Sequence, residues 1–121
     1  CHVDGARLFN AAAALKLPIK EILEGCDSAS ICLSKGLGCP VGSVIVGDSA
    51  FIHRSTRLRK ILGGSMRQAG LLAACGLYSL ENVVPRLYED HDNATRLAKG
   101  LGNLEGVIVP DVVDTNIVIF R

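Results

Sequence analysis

Apolar and polar positions change period several times along the chain, and each change marks an element. Residues 1–3 read as the end of a strand, with Asp4-Gly5 at its exit. "ARLFNAAAALKL" (6–17) is rich in alanine and lays Leu8, Phe9, Ala12 and Leu15 on one stripe, the spacing of a helix. Pro18 opens a short helical turn through Leu23, and Gly25 stops it. "SASICLS" (28–34) alternates small and apolar residues as a buried strand does, and "SVIVG" (43–47) is a second short strand.

Asp48 is placed to cap a helix over 49–62 that Gly63-Gly64 ends. "MRQAGLLAACGLYSL" (66–80) predicts a further, mostly buried helix. Asn82 is placed to cap a long amphipathic helix to about residue 100, with Val84, Leu87, Leu97 and Leu101 roughly on one side. "GVIVP" (106–110) and "NIVIF" (116–120) predict strands. Helices and strands alternate, and the early strands are too apolar to leave one face in water. The pattern predicts an α/β fold with a covered sheet in the first 65 or so residues.

Composition sets limits on this picture. A chain of 121 residues holds at most one ordinary domain, and 49% apolar residues suffice for a core. A net charge of +1 gives no reason to expect nucleic acid or an anionic membrane as partner. No apolar run approaches the ~18–20 residues of a membrane span, and the N-terminus lacks a signal pattern. The five cysteines (1, 26, 32, 39, 75) never form C-x-x-C, and with His2, His53 and His91 they show no zinc spacing. They fit a reduced intracellular compartment, cytoplasmic or mitochondrial, in which they act as small apolar residues. The chain begins without Met and stops inside a predicted strand, so it is expected to be an internal piece of a longer protein.

Asp4 and Lys35 each sit at the C-terminal exit of a predicted strand, 31 residues apart with helical sequence between them. In open α/β sheets ligands bind at the carboxyl ends of the strands, so an acid and an amine face one crevice. A neighbouring carboxylate alone would raise a lysine's pKa and weaken it as a nucleophile. A cationic heterocycle between the two would separate them. The carboxylate pairs with a protonated ring nitrogen and the amine forms an imine with an aldehyde on the ring, the arrangement that pyridoxal phosphate requires. The spacing leaves blander roles open: a turn or capping carboxylate for Asp4, a solvated loop lysine for Lys35. The glycines beside the lysine (Gly36, Gly38 and Gly42, with Pro40 between) match neither familiar phosphate loop.

Three stretches narrow the choice. "HVDGARLFNAA" (2–12), "CLSKGLGCPVGSVIVG" (32–47) and "RLRKILGGSMRQAG" (57–70), in this order and spacing, closely resemble the L-threonine aldolase family of aminotransferase-like (fold type I) pyridoxal-phosphate enzymes. The resemblance runs through nearly the whole chain. It implies the C-terminal part of the large domain in 1–85 and the beginning of the small domain in 86–121. It also implies a lyase that splits L-threonine or L-allo-threonine into glycine and acetaldehyde, built as a homotetramer with sites at subunit interfaces. A lone 121-residue piece is expected to be inactive.

Position by position, the resemblance makes Lys35 the Schiff-base lysine and Asp4 the partner of the pyridinium nitrogen. Arg7 becomes the arginine that holds the substrate α-carboxylate, a task suited to a bidentate guanidinium. Lys60 and Arg67 become the basic pair of an "RK-x-LGGGMRQ" segment that approaches the cofactor phosphate or the site entrance, partly from a neighbouring subunit. The three glycines let backbone pass close to the cofactor, and Ser34 is a donor near the phosphate. Ser65 replaces a third glycine; a positive φ there would cost ~1–2 kcal/mol. His2 shares a strand face with Asp4, near the cofactor or simply packed, while His53 and His91 read as exposed. The alternatives are another fold type I lyase, such as a β-eliminating lyase, and a truncated non-catalytic aldolase-like product.

Overall fold

The computed structural model describes all 121 residues. In chain order the elements are β1 (His2–Asp4), α1 (Leu8–Leu15), α2 (Ile19–Ile22), β2 (Ser28–Cys32), β3 (Ser43–Gly47), α3 (Ser49–Ile61), α4 (Gly70–Asn82), a 3-10 turn (Val84–Arg86) and α5 (Leu87–Gly102). β1 and β2 are parallel, in register His2↔Ser28, Val3↔Ala29 and Asp4↔Ser30, and the connection between them supplies α1 and α2. That is a βαβ unit, the form a parallel pair requires. β3 folds back antiparallel on β2, from Cys32↔Ser43 to Ser28↔Gly47, giving the order β1-β2-β3. The alternation of helix and strand thus gives the α/β class expected.

The local signals act as their chemistry requires. Gly25 ends the α2 segment with φ +79°, a conformation open to glycine without steric cost. Asp48 caps α3, its Oδ1 accepting from the Phe51 N–H at 2.7 Å. No helix is long and apolar enough to cross a membrane.

Several expectations need correction. The sheet is not covered throughout: β2 is largely buried, but all five residues of β3, the edge strand on which α3 packs, are exposed. The 66–80 helix starts at Gly70, after Gln68 takes the left-handed backbone (φ +52°), which a continuous helix cannot contain. It is also mostly exposed. Gly76 and Ser79 are buried against the loop that follows β2, while Leu71, Leu77 and Leu80 face outward.

Asn82 does not cap the last helix. It closes α4, with Nδ2 donating to the Tyr78 carbonyl at 2.9 Å, and the Pro85 turn intervenes before α5 begins. Proline supports such a first turn but not a helix interior. The buried stripe of α5 is Leu87, Ala94 and Ala98, whereas Leu97 is 57% exposed. Small residues let α5 approach α1 closely, which turns the longer leucine outward. Finally, 106–110 and 116–120 are not strands. One reciprocal pair ties the first segment to the residue after the second, Ile108 N to Arg121 O at 2.7 Å and Arg121 N to Ile108 O at 3.1 Å. Two isolated strands are marginal in water.

Two stability measurements follow from these contacts. Asp48→Ala is expected to lower stability by about 1 kcal/mol, and Asp48→Ser by less, read from urea unfolding. At the start of α5, Arg86 donates through Nε and Nη2 to both Glu89 carboxylate oxygens at 2.8 Å. This hydrogen bonding holds the Glu89 carboxyl below its ordinary value. The pair's contribution is therefore present above the ordinary glutamate pKa, about 4.3, and is lost as pH falls through the depressed one. Urea midpoints for Glu89→Gln should lack that acid-side loss, a small one because both groups are exposed.

Candidate active site

The parallel pairing brings two chain exits to one edge of the sheet. Asp4 ends β1 beside Ser30, and the next residue, Gly5, donates its N–H to the Ser30 carbonyl at 2.8 Å. The chain then turns directly into α1. Asp4 is exposed; its Oδ1 accepts from the Ala6 N–H at 3.2 Å, which steadies the carboxylate and leaves the second oxygen free. Arg7 immediately precedes α1 and is exposed, its carbonyl accepting from Ala11 N at 3.1 Å. Lys35 follows β2 by three residues at the same edge and is exposed.

The backbone around Lys35 is closely held although the amine is not. Leu33 N donates to the Gly42 carbonyl at 2.9 Å, Cys39 N to the Leu33 carbonyl at 3.0 Å, and Gly38 N to the Lys35 carbonyl at 2.9 Å. Gly38 (φ +69°) and Gly42 (φ +115°) take backbone angles that close this loop. Leu37 and Cys39 are buried beneath it. Ser79 of α4 donates its hydroxyl to the Leu37 carbonyl.

Asp4, Arg7 and Lys35 take part in none of the chain's ion pairs, which are the N-terminus with Asp27 and Arg86 with Glu89. A carboxylate, an amine and a guanidinium thus share one edge without neutralising one another. This donor set fits pyridoxal phosphate and an amino acid. It supplies an acid for a protonated ring nitrogen, an amine for an aldehyde and a fork for a carboxylate.

The other expected residues lie elsewhere. Lys60 is in the last turn of α3 and Arg67 on the connection to α4; both are exposed, and neither bonds Asp4, Arg7 or Lys35. Ser65 does not take the left-handed backbone, so the cost foreseen there does not arise; Gly63 (φ +80°) and Gln68 (φ +52°) carry those angles. Ser34 is exposed. His2 is exposed on the same strand face as Asp4, with Nδ1 2.8 Å from the Ser28 hydroxyl. His53 is exposed, but His91 is half-buried, with Nε2 3.3 Å from Asn10 Nδ2. All five cysteines are free, and Cys39 is buried as a small apolar residue.

Two residues at this edge escaped the sequence reading, Asn10 and Ser79. Both are 2% exposed, and both touch the Lys35 loop. Asn10 had a visible signal, being the one polar residue in the octet "LFNAAAAL" of α1. Ser79 had none.

The chain resembles known proteins over nearly its whole length. The family model described as "Beta-eliminating lyase" matches residues 1–121. The low specificity L-threonine aldolase of Escherichia coli K12 is 52% identical over 120 residues, covering 99% of this chain and 35% of that protein. The low-specificity L-threonine aldolase 1 of Arabidopsis thaliana is 49% identical over 118 residues, 97% of this chain and 33% of its own length. Among solved structures, a provisionally named aromatic amino acid beta-eliminating lyase/threonine aldolase from Exiguobacterium sp. 255-15 superposes with a TM-score of 0.87 at 28% identity. It covers 98% of this chain and 34% of that one. The chain therefore spans about a third of the length of the relatives it matches.

The backbone angles on the α3–α4 connection give a direct check. Ser65→Gly should lower stability by about 0.4–1 kcal/mol, because it adds freedom to the unfolded chain and relieves no strain. Gly63→Ala should cost about 1–2 kcal/mol by forcing a side chain into the left-handed region. Urea unfolding of both variants reads the difference.

Proposed function

The chain belongs to the beta-eliminating lyase family, and from that membership we propose that it supplies the lysine-bearing part of a pyridoxal-phosphate-dependent threonine aldolase. The observation that carries the reading is the placing of Asp4 and Lys35 at the carboxyl ends of adjacent parallel strands. When bound, pyridoxal phosphate supplies an electron sink for the pair released as a bond to Cα breaks. Lys35 would hold the group by its aldehyde and Asp4 by its ring nitrogen. Lys60 and Arg67 would meet its phosphate or the site entrance, partly from a neighbouring copy of a homotetramer.

The chain's own residues then act on a β-hydroxy-α-amino acid. The Asp4 carboxylate, steadied by the Ala6 N–H, keeps a proton on the nitrogen opposite it. Arg7 grips the α-carboxylate and so orients the Cα–Cβ bond. For L-threonine or L-allo-threonine, cleavage of that bond releases acetaldehyde as the β-hydroxyl loses its proton, and Cα takes up a proton to leave glycine. No residue of these 121 is assigned as the base at the hydroxyl, and in this reading the 121-residue piece alone is inactive. The division into a large-domain part (1–85) and the start of a small domain (86–121), at the Pro85 turn, belongs to the same proposal. So does an intracellular location, cytoplasmic or mitochondrial, which the five free thiols favour.

The full-length protein should, after incubation with pyridoxal phosphate and borohydride reduction, carry label at Lys35 in preference to Lys16, Lys20, Lys60 and Lys99. Lys35→Ala should lose that label and turnover with it. Arg7→Leu should raise KM for threonine by about 10- to 100-fold, the loss of a charge-assisted hydrogen bond. Label spread evenly over the lysines would refute the assignment. Ammonia and a 2-oxo acid in place of glycine and acetaldehyde would point to a β-eliminating lyase instead.

A further inference from the structure

We propose that Asn10 is a positioning residue, one that sets where Lys35 leaves the sheet relative to Arg7 and Asp4; the inference rests on the Schiff-base role proposed for Lys35. Asn10 stands about one helical turn after Arg7 on α1, the helix entered directly from Asp4. It is 2% exposed, and burying a carboxamide is costly unless its polar atoms serve a purpose.

Its two ends meet two different parts of the chain. The carboxamide lies against Gly36, the residue next to Lys35. A Cβ added at Gly36 would come within 2.6 Å of Asn10 Oδ1 and 3.3 Å of both Cγ and Nδ2. At the other end, Nδ2 donates to His91 Nε2 of α5 at 3.3 Å, across 81 residues of sequence. One planar group is therefore wedged between the lysine loop, the arginine-bearing helix and a third element. The loop cannot slide past α1 without meeting the carboxamide, and its tilt is fixed by the bond to His91. Ser79 holds the loop from α4, but Asn10 joins the lysine's backbone to the helix that carries Arg7. Gly36 is required by the same contact, since any side chain there occupies the space of Asn10 Oδ1.

The full-length protein with pyridoxal phosphate tests this through Asn10→Ala, Asn10→Asp, Gly36→Ala and the double variant Gly36→Ala/Asn10→Ala. Two quantities are read: the selectivity of borohydride-trapped label for Lys35 over the protein's other lysines, and kcat against KM for L-threonine. Asn10→Ala should lose about tenfold or more in both selectivity and kcat, with KM little changed because Arg7 is retained. Asn10→Asp keeps the shape and an oxygen against Gly36 but removes the donor to His91 and buries a carboxylate, so it should also lose part of both selectivity and kcat. Gly36→Ala should lose at least as much as Asn10→Ala. The double variant should recover part of that loss, because it removes the atom the new methyl group meets. If Asn10→Ala fails to fold, Gly36→Ala still decides the question.

Unchanged selectivity and kcat in folded Asn10→Ala would overturn the proposal, as would Gly36→Ala behaving like the unaltered protein. Either result leaves the role of Lys35 standing if Lys35 is still the labelled residue. No preferential label at Lys35 in the unaltered protein would overturn that role and this proposal together.

Discussion

Three residue pairs between two parallel strands hold the candidate site in place. Because β1 and β2 run the same way, both chain exits fall at one edge, and the crossover between them must start there too. Asp4, Arg7 and Lys35 are brought together by that single constraint, though they come from a strand end, a helix entry and a loop. β3 shows what the alternative does. It runs the other way, so its exit at Gly47 lies opposite Ser28, and α3 with its cations starts from the far edge.

Part of the chain's core lies at the same edge. Leu37 and Cys39 are buried under the lysine loop, and Leu8 and Asn10 behind it on α1. Small residues do much of the fitting: Gly36 against Asn10, Gly76 against Leu33, Ala94 and Ala98 of α5 on the side where it meets α1. Close packing by small side chains transmits displacement directly, since little space is left to absorb it. A lysine can thus be exposed while the backbone that carries it is closely held.

How much of this was legible depends on how far each signal travels. Local signals read well: Asp48 before a helix, Gly25 after one, and apolar strands ending at Asp4 and just before Lys35. Signals that depend on a distant partner did not. The leucines of α4 read as a buried helix, yet these 121 residues place only the loop after β2 against its Gly76 and Ser79. Leu97 looked like the core of α5 by its size, but a close helix crossing selects Ala94 and Ala98 instead. The segment ending in "LGGSMRQ" gave the residue types and not their backbone angles: the left-handed conformation weighed for Ser65 is found at Gly63 and Gln68. Asn10 lies inside a quoted motif, but its partner His91 is 81 residues away and no periodicity connects them.

That long separation bears on how the protein is made. The cap at Asp48 closes over three residues, while the lysine loop waits for Ser79, 42 residues beyond Leu37, and for His91 to reach Asn10. Loop-closure entropy must be met before such contacts stabilise anything, so they form late. On a ribosome adding about 5–20 residues per second, Lys35 emerges seconds before the helices that shape its surroundings. During that interval it is an ordinary lysine on an unfinished chain. Its surroundings are complete only when α4 and α5 dock, so the assembly of this edge ends with helices that carry none of Asp4, Arg7 and Lys35.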